Sequence, residues 1–304
     1  MKTALDVARC RHDCQPHARI PAQNRLMIAT PSSPVDTDRD NYRKFYDTEL
    51  SALLSAIWGG NLHMGLFAEA DEPLPRAQQR AKDYMARAAE LAPGRRVLEV
   101  ACGAGATAVH LANSYGVRVD ATNIAQAQLE EAAENARAAN VSDRVSFAFA
   151  DYHHLPGPSD AYDCWWCQEA LLYATDRMQV FSEARRVVKP GGRIVFSDLT
   201  LSDALPHDER QGFASDIRAP HLWRIEDYER LFAQVRFRII ERQDWSSHVP
   251  MTFAAVARNL AALRRDFAQR IGEDAVRGTE FRIARQLDMA RAGHLGWCFY
   301  ALEA

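Results

Sequence analysis

The residues best placed to do chemistry in this chain are small, acidic and amide residues at the ends of apolar runs. The densest set is Val97-Leu98-Glu99-Val100-Ala101-Cys102-Gly103-Ala104-Gly105. An apolar run with an acid inside it reads as a buried parallel strand. The small residues after it let the backbone turn sharply and approach a ligand closely. Thr107-Ala108-Val109-His110-Leu111-Ala112 then has helix-forming periodicity. Strand, glycine-rich turn and helix together make a nucleotide-binding site at the carboxyl end of a strand. The spacing is E-x-x-x-G-x-G, which differs from the G-x-G-x-x-G of dinucleotide sites. A branched side chain at Gly105 is expected to fall where the ligand lies. Further polar groups end later runs: Asn123-Ile124 with Gln128 one helical turn on, Asp151-Tyr152, and Gln168-Glu169.

Those groups converge only if the runs are strands of one sheet. The reading gives strands at 97–100, 117–122, 145–149, 163–166 and 193–197, with helices at 126–139 and 181–188 between them. Lys189-Pro190-Gly191-Gly192 turns into the fifth strand. Two more strands are read at 237–240 and 296–302. Repeated strand–helix units predict a Rossmann-like α/β fold: a doubly wound, mainly parallel sheet of seven strands whose last pair is antiparallel. Residues 41–66 read as helical with an apolar face of Phe45, Leu50, Leu53, Leu54 and Ile57, and 76–92 as a second helix stopped by Pro93-Gly94. The stretch 252–291 is too long for a plain connection and is expected to cover the substrate. The division is a flexible tail at 1–40 and one domain at 41–304, with helical cap segments near 41–75, 200–225 and 250–292.

The formal net charge of -3 gives no electrostatic case for nucleic acid or an anionic membrane. No apolar run is long enough to span a bilayer, and Met1–Ala8 lacks a signal-peptide core, so a cytoplasmic location is expected. The six cysteines suggest no disulfide framework. Cys164-Trp165-Trp166-Cys167 lies on a strand, whose alternation sends its two sulfurs to opposite faces. Cys10-Arg11-His12-Asp13-Cys14 lacks a second ligand pair, and no metal is expected.

From about residue 41 to the end, the chain resembles the class I S-adenosylmethionine-dependent methyltransferases. Glu99 matches their first-motif acid, and Pro190-Gly191-Gly192 before a strand is typical of them. The resemblance implies S-adenosylmethionine as cofactor, held by Glu99, Ala101, Gly103, Gly105, Asn123, Ile124, Gln128, Asp151, Tyr152 and Gln168. Asp151 would contact the adenine. The usual ribose carboxylate is replaced by Asn123, with Gln128 placed to help. Ala101 stands where the first glycine is usual, a change tolerated if its φ is negative. Phe45-Tyr46-Asp47, Ile57-Trp58-Gly59-Gly60-Asn61-Leu62-His63-Met64-Gly65-Leu66-Phe67 and Gln168-Glu169-Ala170-Leu171-Leu172-Tyr173 resemble the sarcosine/dimethylglycine N-methyltransferase and tocopherol methyltransferase group.

Methyl transfer from a sulfonium needs alignment and exclusion of water more than acid–base machinery. His63 or Glu169 is read as a proton acceptor, with Tyr46 beside them as a catalytic candidate. Trp58, Met64, Tyr173 and Trp245 are read as acceptor-binding. The rings of Trp58, Tyr46 and Trp245 would suit an ammonium ion. The acceptor is expected to be a small molecule, leaning to an amino-acid-like amine. The alternatives are C- or O-methylation of a larger apolar metabolite, and a non-catalytic cofactor-binding module. A homodimer is compatible with this reading.

Overall fold

The computed structural model describes residues 49–202, 205, 210 and 222–304. The expected tail at 1–40 and the candidate Tyr46 lie outside the described residues, as does most of the segment expected to cap the site near 200–225.

Seven apolar runs pair into one sheet of order β3-β2-β1-β4-β5-β7-β6. The strands are β1 (Arg96–Val100), β2 (Arg118–Asn123), β3 (Val145–Phe149), β4 (Tyr162–Gln168), β5 (Val188–Leu201), β6 (Arg238–Asp244) and β7 (Leu295–Glu303). The pairs β1–β2, β2–β3, β1–β4 and β4–β5 are parallel, and β7 runs antiparallel to both β5 and β6. The strand count and direction match the expectation. The Lys189-Pro190-Gly191-Gly192 turn forms an irregularity within β5: Val188 pairs with Tyr162 and Arg193 with Cys164, so the turn loops out opposite Asp163.

Alternation along β4 splits the core. Cys164 and Trp166 join the layer under α2 (Leu74–Ala88), α3 (Ala106–Tyr115) and α4 (Gln126–Ala138). Trp165 and Cys167 join the opposite layer under α5 (Arg177–Val187) and α6 (Ile225–Val235). Both cysteines are free and buried, on opposite faces as expected.

The first described helix, α1, spans Glu49–Ile57 and so ends well before Leu66, the end that the periodicity suggested. Gly59 and Gly60, both at positive φ, end it, and Gly60 N–H donates to Ser55 O at 2.8 Å. Residues 59–67 therefore form a loop rather than a helix. A long hairpin, α7 (Val249–Ile271) and α8 (Glu273–Arg291), fills the space between β6 and β7 in sequence. It packs on α1 through Leu53, Ile57, Val256, Leu260 and Phe267.

Candidate functional site

The strand order reverses between β1 and β4, so a crevice opens beyond their carboxyl ends. Glu99 and Gln168 flank that crevice. Glu99 is 3% exposed, and its Oε2 has no hydrogen-bond partner among the described residues. Burial pushes its carboxyl up to about 8, against the pull of the Lys82 ammonium from α2 and a backbone N–H of Ala108. Gln168 Oε1 accepts from Thr107 Oγ1 at 3.2 Å and Trp166 Nε1 at 3.1 Å, while its buried Nε2 has no partner among the described residues. An unmatched buried acceptor and donor each carry a cost that a ligand removes. The amino-acid end of a zwitterionic cofactor offers an ammonium for the one and a carboxylate for the other.

The turn after β1 takes positive φ in three places. Ala101, Gly103 and Gly105 have φ of 54°, 54° and 77°. The expectation of a negative φ at Ala101 is therefore corrected. An L-residue there pays roughly 1–2 kcal/mol of steric cost that glycine avoids. Gly103 has nothing within 4 Å of the position a Cβ would take, so it faces the crevice. Gly105 does not. A Cβ there would meet Ala132 Cβ at 2.8 Å and the Phe147 ring at 2.8 Å. The expected clash of a Gly105 side chain with ligand is thus a clash with α4 and β3. Gly105 lets α3 approach those elements.

The second strand end is held by its own amide. Asn123 Oδ1 accepts from the Ile124 N–H at 2.8 Å, and Asn123 Nδ2 donates to Gln128 Oε1 at 2.8 Å. At the third, Asp151 Oδ1 accepts from His153 N–H at 2.8 Å and from His153 Nδ1 at 2.7 Å. His153 Nε2 takes the Asp176 N–H at 3.4 Å, which fixes the tautomer with the proton on Nδ1. Tyr152 donates to Ala170 O at 3.2 Å.

The fourth strand end carries the most constrained side chain. Glu169 sits just past β4 with φ of 42°, a region where a non-glycine residue is strained. Its Oε1 accepts from Ser197 Oγ at 2.5 Å and Trp297 Nε1 at 2.8 Å. Its Oε2 faces His63 Nδ1 at 2.8 Å, across 106 residues of sequence. A carboxylate accepts only, so His63 donates through Nδ1, which leaves Nε2 outside this contact. Ser197 and Trp297 were not among the candidates. No short-range pattern marks either, since each acts from a different strand.

His63 lies on the 59–67 loop, which α7 also holds. Gly65 N–H donates to Thr252 Oγ1 at 3.2 Å, and Phe67 N–H donates to His248 Nδ1 at 3.1 Å. Met64 is buried in the core and Trp58 meets Phe253 edge-on at 5.9 Å. Tyr173 is partly exposed, at the end of the short turn after Glu169. Trp245 is 5% exposed. It stacks on Phe299 at 4.9 Å and touches Trp297 and Tyr84 at 4.6 Å and 5.3 Å. Its ring is packed among those aromatic neighbours. It supports Trp297 from behind.

Comparison with known proteins agrees with this geometry. Residues 97–192 match the model of a methyltransferase domain. The chain is 32% identical to methyltransferase GfsG of Streptomyces halstedii over 70% of this chain and 78% of that protein. It is 37% identical to the 27-O-demethylrifamycin SV methyltransferase of Amycolatopsis mediterranei over 52% of this chain and 58% of that protein. Phosphoethanolamine N-methyltransferase 2 of Haemonchus contortus, solved with S-adenosyl-L-methionine, shares the fold with a TM-score of 0.75 at 18% identity, over 88% of this chain and 59% of that chain.

Proposed function

This chain belongs to the class I S-adenosylmethionine-dependent methyltransferases, and from that premise we propose that it methylates a hydroxyl group of a small molecule, with His63 as the base. When bound, the cofactor supplies an electrophilic methyl group on a sulfonium. Glu99 Oε2 and Gln168 Nε2 would take its amino-acid end, and Gly103 would let it lie against the turn. Asn123, Ile124 and Gln128 would face the ribose. Asp151 and Tyr152 would face the adenine.

The observation that carries the acceptor reading is the His63–Glu169 contact. A hydroxyl is a weak nucleophile until it loses its proton, so its methylation gains from a positioned base. An amine acceptor sheds its ammonium proton to water and is then nucleophilic unaided, whereas a neutral hydroxyl is not. Glu169 has both oxygens engaged, so its role is to orient His63 and stabilise the imidazolium that forms. Nε2 then takes the acceptor proton. The relative from Amycolatopsis mediterranei, whose name places a methyl on an oxygen, supports the same choice. The α7–α8 hairpin and the 59–67 loop would enclose the acceptor and exclude water.

The test uses cofactor labelled in the methyl group, with 27-O-demethylrifamycin SV and simple phenols as hydroxyl probes and sarcosine and dimethylglycine as amine probes. The expected product is a methyl ether, lost in His63→Ala. Label appearing on the amines alone would overturn the reading.

A further inference from the structure

Gln78 lies on the buried face of α2, 1% exposed, in line with Leu74, Ala81 and Met85. A long amide in that position is costly unless its hydrogen bonds are met. Its Nε2 donates to three backbone carbonyls: Trp58 O at 3.0 Å, Asn61 O at 2.8 Å and His63 O at 2.9 Å. Two N–H bonds are shared among three acceptors, and only the nitrogen end of the amide suits a ring of carbonyls. The Oε1 is buried with no partner among the described residues. The side chain therefore forgoes the acceptor half of its bonding to keep the donor half at the centre of the loop.

The three carbonyls belong to the segment that carries His63. It leaves α1 at Gly59-Gly60 and has no regular hydrogen-bonded structure of its own over 62–67. The bonds to Thr252 and His248 hold this loop after His63, at Gly65 and Phe67; ahead of it the Gln78 amide ties down the backbone, which otherwise samples many conformations. The contact to Glu169 spans 2.8 Å, and a shift of one ångström lengthens it past hydrogen-bond range.

We propose that Gln78 is a positioning residue that gathers the 58–63 backbone onto one amide nitrogen and so holds the His63 ring against Glu169. The proposal rests on the reading of His63 as the base for its catalytic meaning, but its structural content stands apart from that reading. It makes α2 a common support for both parts of the site, since Lys82, one turn further along α2, bears on Glu99.

The test pairs Gln78→Met, which keeps length and removes the donors, with Gln78→Glu, which keeps shape and points oxygen at the three carbonyls. Two readouts need no acceptor. Long-range nitrogen–proton NMR of the histidine rings reports the His63 tautomer. Hydrogen exchange reports protection of the amides at 59–65. In the parent protein His63 is expected as the single Nδ1-protonated tautomer. Both variants should show a tautomer mixture like that of Glu169→Gln. Loop exchange should be at least about tenfold faster, the equivalent of roughly 1.4 kcal/mol. Cofactor affinity by calorimetry should stay within about twofold. An unchanged tautomer and unchanged protection in either folded variant would overturn the proposal. Should the tautomer shift while His63→Ala still methylates the hydroxyl probes, the base reading fails and Gln78 remains the loop's anchor.

Discussion

On the β3–β2–β1 side of the sheet the site is built around a backbone turn, whereas on the β4–β5–β7 side it is built around a knot of side chains. The first side uses a turn with three positive-φ residues within five positions, followed directly by the first turn of α3. Its parts are neighbours in sequence, and its job of cradling a ligand is met by shape and by N–H groups. The second side assembles His63, Glu169, Ser197 and Trp297 from a loop, the residue just past β4, and strands β5 and β7. Its job of orienting one imidazole needs directional contacts from several directions. The contrast teaches that the proposed cofactor half tolerates little added volume at its turn, and the proposed acceptor half little change in hydrogen bonding.

The sharpest break of that contrast is in the glycine turn itself. Gly105→Val drives a branched side chain into Ala132 and Phe147 at positive φ. A loss of roughly 3–5 kcal/mol, read by denaturant unfolding, is expected, with no folded species left to bind cofactor in a marginal protein. Gly103→Ala has open space at its Cβ. It should fold, lose roughly 1–2 kcal/mol, and bind cofactor at least about tenfold more weakly by calorimetry. Equal stabilities for the two variants would erase the distinction drawn between these glycines.

On the other side, Glu169→Gln and His63→Ala are each expected to lower turnover of a hydroxyl probe by ~10²–10⁴-fold while cofactor affinity holds. The double variant should be little worse than the worse single one, because the pair acts as a unit. Additive losses would mean that Glu169 and His63 work independently.

A smaller effect is the pH dependence of stability without cofactor. Burial raises Glu99 to about 8 and Asp198 to about 7, above their ordinary values of 4.5 and 3.8. A carboxyl raised in the folded state contributes fully below its unfolded value and loses that contribution as pH rises through the folded one. Stability should therefore decline between about pH 5 and pH 8. His110 and His248, both pushed down by burial, work the opposite way near pH 6.5. Comparing unfolding of the parent with Glu99→Gln across this range isolates the Glu99 part. Parallel curves would exclude it.

The least effect is at Ala101, whose φ of 54° belongs to glycine. Ala101→Gly should stabilise by roughly 1 kcal/mol or less, because relief of strain is offset in part by the greater freedom of glycine in the unfolded chain. Destabilisation measured by the same unfolding assay would show that the alanine methyl packs usefully.

What the sequence determined by itself was everything carried by neighbours. The E-x-x-x-G-x-G turn, the seven apolar runs and the polar residues at their ends follow from periods of two and 3.6 and from short spacings, which a chain must obey locally. Opposite faces for Cys164 and Cys167 followed for the same reason. His63 and Glu169 were legible as polar residues in suggestive segments, but their meeting was not, since 106 residues separate them. Only the tertiary structure decided the sign of φ at Ala101, the burial of Trp245 behind Trp297, and the side on which Gly105 is crowded. It also brought Gln78, Ser197 and Trp297 into the site. A side chain that acts by donating hydrogen bonds leaves no periodic trace, and its partners are chosen by how the layers pack.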